Sequence, residues 1–163
     1  MRWIVALVAL LGLLSAVAAL REHYRMEASP CSINEKWDCG VVNHSPYAAL
    51  GGVWWYIRQK LSGGIVELKP FTGLERIPVA VIGIAGYLLL GLLALKRAWR
   101  TIFLAAVMGL GFSLYLSYIE ARVLLIWCIY CVISLSMISL LTMLSLIMAL
   151  KSGKPSQKPA ASS

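Results

Sequence analysis

"VLLIWCIYCVISLSMISLLTMLSLIMAL", residues 123–150, contains no charged side chain, and it opens on two cysteines three apart, Cys128 and Cys131. Roughly 28 residues at ~1.5 Å each make ~42 Å of helix, against a hydrocarbon core of ~30 Å. The run is therefore longer than one perpendicular span. If its last ~20 residues cross the core, the crossing begins near Cys131, so the Cys-x-x-Cys pair sits at the lipid headgroup boundary. The rest of the chain agrees with a membrane setting. It is 60% hydrophobic and 13% charged, with a mean hydropathy of +0.80, where soluble domains carry about a quarter of their residues as charges. Three more apolar runs, Ile4–Leu20, Ile77–Leu95 and Thr101–Ile119, fit the ~17–25 residues of a spanning helix. The expectation is an all-α integral membrane protein, a four-helix transmembrane bundle forming one domain over residues 1–150. The first run has a rival reading as a signal peptide ending at "SAVAAL", but it exceeds the ~7–15 apolar residues usual in such peptides.

The net charge of +8 points to topology rather than to nucleic acid. With Arg2 on the inner side, the inner segments hold Arg2, Lys96, Arg97, Arg100, Lys151, Lys154 and Lys158 and no acid. The outer segments hold eight basic residues and all seven acids. By the positive-inside rule, both termini are cytoplasmic and the loop 21–76 is outside. All four cysteines, Cys31, Cys39, Cys128 and Cys131, then face the oxidising side, where disulfides persist. Residues 151–163 read as a disordered basic tail.

Within the loop, Ser45-Pro46 is a helix-start signal. Leu50, Trp54, Ile57 and Leu61 follow on one face, and Gly63-Gly64 ends the segment. Trp54, Trp55 and Tyr56 match an aromatic belt, so 45–62 is expected as one short interfacial helix able to cover the outer ends of the spans.

The cysteines admit three readings. A zinc site needs four converging ligands and a satisfied second shell, and half of it would lie in an apolar helix; no metal is expected. Structural disulfides suit Cys31–Cys39, but bridging a two-residue gap removes little unfolded-state entropy. A thiol–disulfide relay uses both pairs. "PCSINEKWDCG" is polar and loop-like, fit to meet a protein partner, while "WCIYC" is anchored at a helix start, where thiolates are favoured. At that depth the acceptor would be a lipid-soluble, two-electron carrier, and a membrane quinone fits.

Several segments resemble the vitamin K epoxide reductase family: Cys31 and Cys39 with seven residues between, "SPYA" at 45–48, "IPVAVIGIAGY" at 77–87, "SLYLSYIE" at 113–120 and "WCIYC" at 127–131. The resemblance implies a four-helix bundle around a quinone of ubiquinone or menaquinone type. It implies that Cys128 and Cys131 are the quinone-proximal pair, with Cys131 nearest the ring. Cys31 and Cys39 would be the shuttle pair, Cys39 exchanging with Cys128 and Cys31 meeting a thioredoxin-like periplasmic partner. Ser45 matches the family's loop serine and is a candidate quinone contact. The animal members carry a tyrosine where this chain has Leu135, and an asparagine at the start of the second helix where it reads "ERIPVA". Bacterial members often carry a fused thioredoxin-like domain, so here the partner would be a separate protein. The stretch 53–75 looks like an insertion.

The function expected is a quinone-dependent thiol–disulfide oxidoreductase of the inner membrane, supporting disulfide formation. The alternatives are a quinone or vitamin K epoxide reductase that uses protein thiols only as electron donor, and a scaffold with structural disulfides. Glu120 is expected at the interface, with proton relay as the second possibility. His23 and His44 are expected at the surface, His44 close enough in sequence to Cys39 to support a thiolate. Gly109, Ser113 and Ser117, spaced by four, are expected to let helices pack closely.

Overall fold

The computed structural model describes residues 2–25, 29–63 and 76–152. The expected tail, apart from its first two residues, and the 64–75 part of the long loop lie outside that set. Among the described residues the protein is all helical. Its elements are α1 (Arg2–His23), α2 (Cys39–His44), a 3₁₀ turn (Pro46–Ala48), α3 (Leu50–Ser62), α4 (Val79–Leu95), α5 (Trp99–Ile119), a π-turn continuing α5 (Glu120–Leu124) and α6 (Ile129–Ser152). Arg2–His23, Trp99–Leu124 and Ile129–Lys151 are long and apolar enough to cross a membrane, while Val79–Leu95 is apolar but has 17 residues. This is a multi-pass membrane protein.

The bundle buries its small residues and exposes its large ones. On α1 the inward stripe is Val5, Val8, Ala9, Gly12, Ser15, Ala16 and Ala19, at the three-and-four spacing of one helix face. Ala9 is 2% exposed while Leu7, on the opposite face, is 58% exposed. A water-soluble bundle would reverse that order. In lipid no hydrophobic force gathers leucines inward, and small residues win the interface because they let backbones approach. Ala16 meets Gly83 and Ala9 meets Gly91, so α1 and α4 pack antiparallel. Tyr87 of α4 lies over Gly12, and its hydroxyl donates to the Ser134 carbonyl of α6 at 2.8 Å. One side chain thus joins three helices. Gly109 of α5 faces Ile138 of α6, as its spacing suggested, but Ser113 and Ser117 line a cavity.

Two expected segments are broken. Run 123–150 is not one helix: the π-turn ends at Leu125, whose φ of 56° and ψ of 22° reverse the helix, and α6 begins only at Ile129. Residues 45–62 are not one helix either. Ser45 and Ala49 are both extended, because Ala49 pairs with Pro78 and Leu50 N–H donates to Ile77 at 3.1 Å. That long-range pairing overrides local helix propensity. Ser45 makes no side-chain cap. The buried face of α3 is Gly51, Gly52 and Val53, whereas Trp54 and Leu61 of the expected apolar face are 57% and 83% exposed. Gly52 has no room for a Cβ, which would strike the Pro46 carbonyl. Gly63, with φ of 61°, ends α3 as expected.

A Cβ at Gly12 would land in the Tyr87 ring, whereas Gly86 has nothing within 4 Å. Gly12→Ala is expected to lower stability in detergent by about 1–3 kcal/mol, the usual cost of overpacking. Gly86→Ala is expected to leave it unchanged. Thermal unfolding of the two variants side by side checks this, and equal midpoints would refute the packing account.

Candidate functional site

The cysteines singled out from the sequence meet at one end of the bundle. Cys39 is the first residue of α2, where Asp38 caps the helix: Val41 N–H donates to its side chain at 3.1 Å. Ser32 Oγ donates to the same carboxylate at 2.7 Å. Ser32 chiefly, with the Val41 N–H, holds the Asp38 carboxyl below its ordinary range. Cys128 immediately precedes α6, and its carbonyl accepts the first intrahelical bond, from Val132 N–H at 3.1 Å. Its sulfur therefore faces the positive end of a long helix, a setting that stabilises a thiolate.

The loop and the helix start are joined by backbone. Trp37 and Trp127 form a parallel bridge, in which Trp127 N–H donates to Lys36 at 2.8 Å and Asp38 N–H donates to Trp127 at 3.1 Å. Their rings lie 6.4 Å apart. This bridge places Cys39 beside Cys128 in one buried cluster that also holds Cys31 and, partly buried, Cys131. Cys31 and Cys39 are disulfide-bonded with Cα atoms 5.7 Å apart, while Cys128 and Cys131 are free thiols. The loop between Cys31 and Cys39 is exposed as expected, but both of these cysteines are themselves buried.

Asn43 was not anticipated. It lies one turn beyond Cys39, is buried, and its amide donates to the Cys39 carbonyl at 2.8 Å and toward Cys128 Sγ at 3.6 Å. It thus bridges the two pairs. The i, i+4 spacing from Cys39 carried the signal, but only once residues 39–44 are known to be helical.

Glu120 is buried within the protein. It is 3% exposed, its Oε2 accepts from Cys128 N–H at 3.2 Å, and it lines the same cavity as Cys131. It is the sole acidic residue after Glu75 in the chain, and an acid within an apolar segment is a site signal in itself. His23 is no surface residue: it lines the cavity described next and its Nδ1–H donates to the Asn43 carbonyl. His44 is exposed and its ring nitrogens face the carbonyls of Gly40 and Arg25, at 2.7 and 3.0 Å. Neither nitrogen is directed at Cys39.

A cavity of about 120 Å³ opens between α1, α4, α5 and α6 beneath the 3₁₀ turn. Its walls are mainly apolar, with Ala16, Gly83, Phe112 and Leu116 among them, and a few polar groups converge on it, including Ser45, Glu120 and Cys131. Ser45 Oγ donates to the Val42 carbonyl at 2.7 Å. The cavity is of the order that takes one six-membered ring.

A vitamin K epoxide reductase family model matches residues 3–146. The chain belongs to the vitamin K epoxide reductase family. Comparison with individual curated proteins gives no match. Membership makes the protein an oxidoreductase, and family chemistry of disulfides at the membrane accords with two cysteine pairs sharing one buried cluster.

With Cys31→Ser and Cys131→Ser in place, Cys39 and Cys128 are the remaining thiols, and mild oxidation is expected to join them. Adding Asn43→Ala is expected to slow that bond about five- to tenfold, the worth of one hydrogen bond. Mass spectrometry of the Cys39–Cys128 peptide pair over time checks it. An unchanged rate would show that Asn43 does not hold the pairs in register.

Proposed function

We propose that this protein is a quinone-coupled thiol oxidase that draws two electrons from a reduced thioredoxin-like protein. The observation that carries the reading is the adjacency of the loop disulfide and the helix dithiol, with Cys131 on the wall of an apolar cavity. Exchange proceeds by a thiolate attacking a disulfide sulfur through a mixed disulfide. A partner thiolate attacks Cys31 Sγ and displaces Cys39. The second partner thiol then releases Cys31, so the partner leaves oxidised and the loop pair reduced. Cys39 next attacks Cys128 of an oxidised Cys128–Cys131 pair and displaces Cys131. Cys31 attacks Cys39 and frees Cys128, which restores the loop disulfide and leaves two electrons on the helix pair. Because Cys31 is buried with the bridge closed, the partner reaches it when the loop lifts.

A bound quinone of ubiquinone or menaquinone type would supply the terminal two-electron sink. The cavity fits such a ring: it is apolar, ring-sized, bordered by Ser45 as a polar contact and open to Cys131. Leu135 packs into the helix core and offers no hydroxyl where the animal enzymes carry a tyrosine, which favours thiol oxidation over epoxide reduction.

The charge distribution supports a placement in the inner membrane by four spans, with both termini cytoplasmic and the cysteines periplasmic. It also supports one membrane domain over residues 1–150, with α3 lying in the outer interface through Trp54 and Leu61.

In proteoliposomes containing ubiquinone or menaquinone, the protein is expected to oxidise a reduced thioredoxin-like substrate. Cys128→Ser and Cys131→Ser are each expected to lower that rate by at least about a hundredfold, as loss of a covalent relay member does. Wild-type rates in either variant would remove the relay.

A further inference from the structure

Resting on the thiol-oxidase reading, we propose that Glu120 is a catalytic residue that carries the Cys131 thiol proton to the quinone. Four observations place it there. Its carboxyl is 3% exposed, and among the described residues no lysine or arginine forms an ion pair with it. A buried carboxyl without a cation is costly, and a purely structural position would gain from an apolar replacement. Its hydrogen bond is to the reacting pair, from the Cys128 N–H at 3.2 Å. It also lines the cavity next to Cys131. Finally, Glu120 stands three and four residues beyond Ser117 and Leu116, on the cavity face of α5, and a π-turn opens at it. π-bulges are frequent at functional sites.

The chemistry needs such a group. Oxidising Cys128 and Cys131 breaks two S–H bonds, forms one S–S bond and releases two electrons and two protons, all taken up by the quinone to give the quinol. In a dry cavity the protons need a carrier at hand. Glu120 accepts the Cys131 proton as a carboxylate and releases it toward the acceptor. The Cys128 proton follows by way of Cys131, which shares its buried cluster. Glu120 ends as it began. The other titratable groups bordering the cavity are His23 of α1, Tyr47 of the 3₁₀ turn and Tyr130 of α6. His23 Nδ1 is occupied by the Asn43 carbonyl. Arg122, two residues on, is exposed.

The structural alternative is that Glu120 only caps α6 through Cys128 N–H. Glu120→Gln separates the two, since an amide oxygen still accepts that bond but cannot carry the proton. Three measurements on the full-length protein decide. The first uses no quinone: alkylation of Cys131 in the reduced protein, followed by mass spectrometry across pH, is expected to be about fivefold or more faster in Glu120→Gln at neutral pH, because a neighbouring negative charge is gone. The second is single-turnover reoxidation of the helix dithiol by quinone, expected to fall about a hundredfold, within the range of proton transfer by a placed side chain. The third is exchange between the loop pair and a thioredoxin-like partner, expected to stay within about twofold of wild type. Unchanged alkylation and reoxidation would overturn the inference, as would a parallel fall in all three, which is the mark of a structural role. If quinone does not reoxidise even the wild type, the thiol-oxidase reading fails and the inference with it. Active wild type matched by Glu120→Gln defeats the inference alone.

Discussion

Two backbone hydrogen bonds, Trp127 to Lys36 and Asp38 to Trp127, decide whether this molecule has one redox site or two unrelated cysteine pairs. The loop that carries Cys31 and Cys39 is polar and exposed between them and docks through the small buried cluster of Cys31, Cys39 and Val42. Its register on the bundle comes from this bridge, from the facing Trp37 and Trp127 rings, from Asn43 beneath and from the His23 and His44 contacts that tie α2 to α1 and its end. Hydrogen bonds of this kind contribute roughly 0.5–1.5 kcal/mol each. That sum is enough to favour the closed arrangement and small enough to be crossed readily. A couple that has to serve a protein outside and a thiol pair at the membrane needs a tether of that strength. A large hydrophobic interface would hold it too tightly to lift.

The cavity has the same origin as the close packing below it. Lower in the bundle, small residues on α1 are matched by partners that fill the space: Ala9 by Gly91, Gly12 by the Tyr87 ring. Toward the cysteine end the small residues continue through Ala16, which faces Gly83, and Ala19, and with Ala80 they line the cavity. The volume is left over from a packing rule carried one turn further than its partners. The 3₁₀ turn covers it from above, held by the Tyr47, Tyr56 and Tyr115 ring contacts to α3 and α5. Gly52 permits this, since any side chain there would push the turn away from α3.

What was legible in the chain was whatever depends on local pattern. Apolar runs gave the long helices, and the arrest of α3 at Gly63 followed from glycine chemistry. What was not legible depends on contacts between distant segments. The pairing of Ala49 with Pro78 breaks a helix that the Ser45-Pro46 signal and the 3.6-residue pattern favour. The glycines, which weaken the helix locally, are its packed face, and the apolar side of Trp54 and Leu61 is turned outward. The burial of Glu120 has a related origin. Counted as a loop charge between two spans it reads as exposed; its three- and four-residue spacing from Ser117 and Leu116 continues the cavity face of α5. Asn43 and His23 carried no signal in isolation, since each is one polar residue near a helix end.

The costs in this fold are not spread evenly. The π-turn, buried Glu120, two free thiols at a helix start and an unfilled volume all lie within the stretch around 119–131 and what packs on it. The two non-glycine residues with positive φ, Leu125 and Arg97, each close a helix, an ordinary place for a left-handed residue. A chain selected for stability alone would have continued α5 to its natural length, put a leucine at 120 and filled the cavity. Local rules are broken here together, and real proteins break them at functional sites. The same stretch contains every contact by which the loop couple reaches the helix couple. The least economical part of the bundle is therefore the part through which electrons would have to pass.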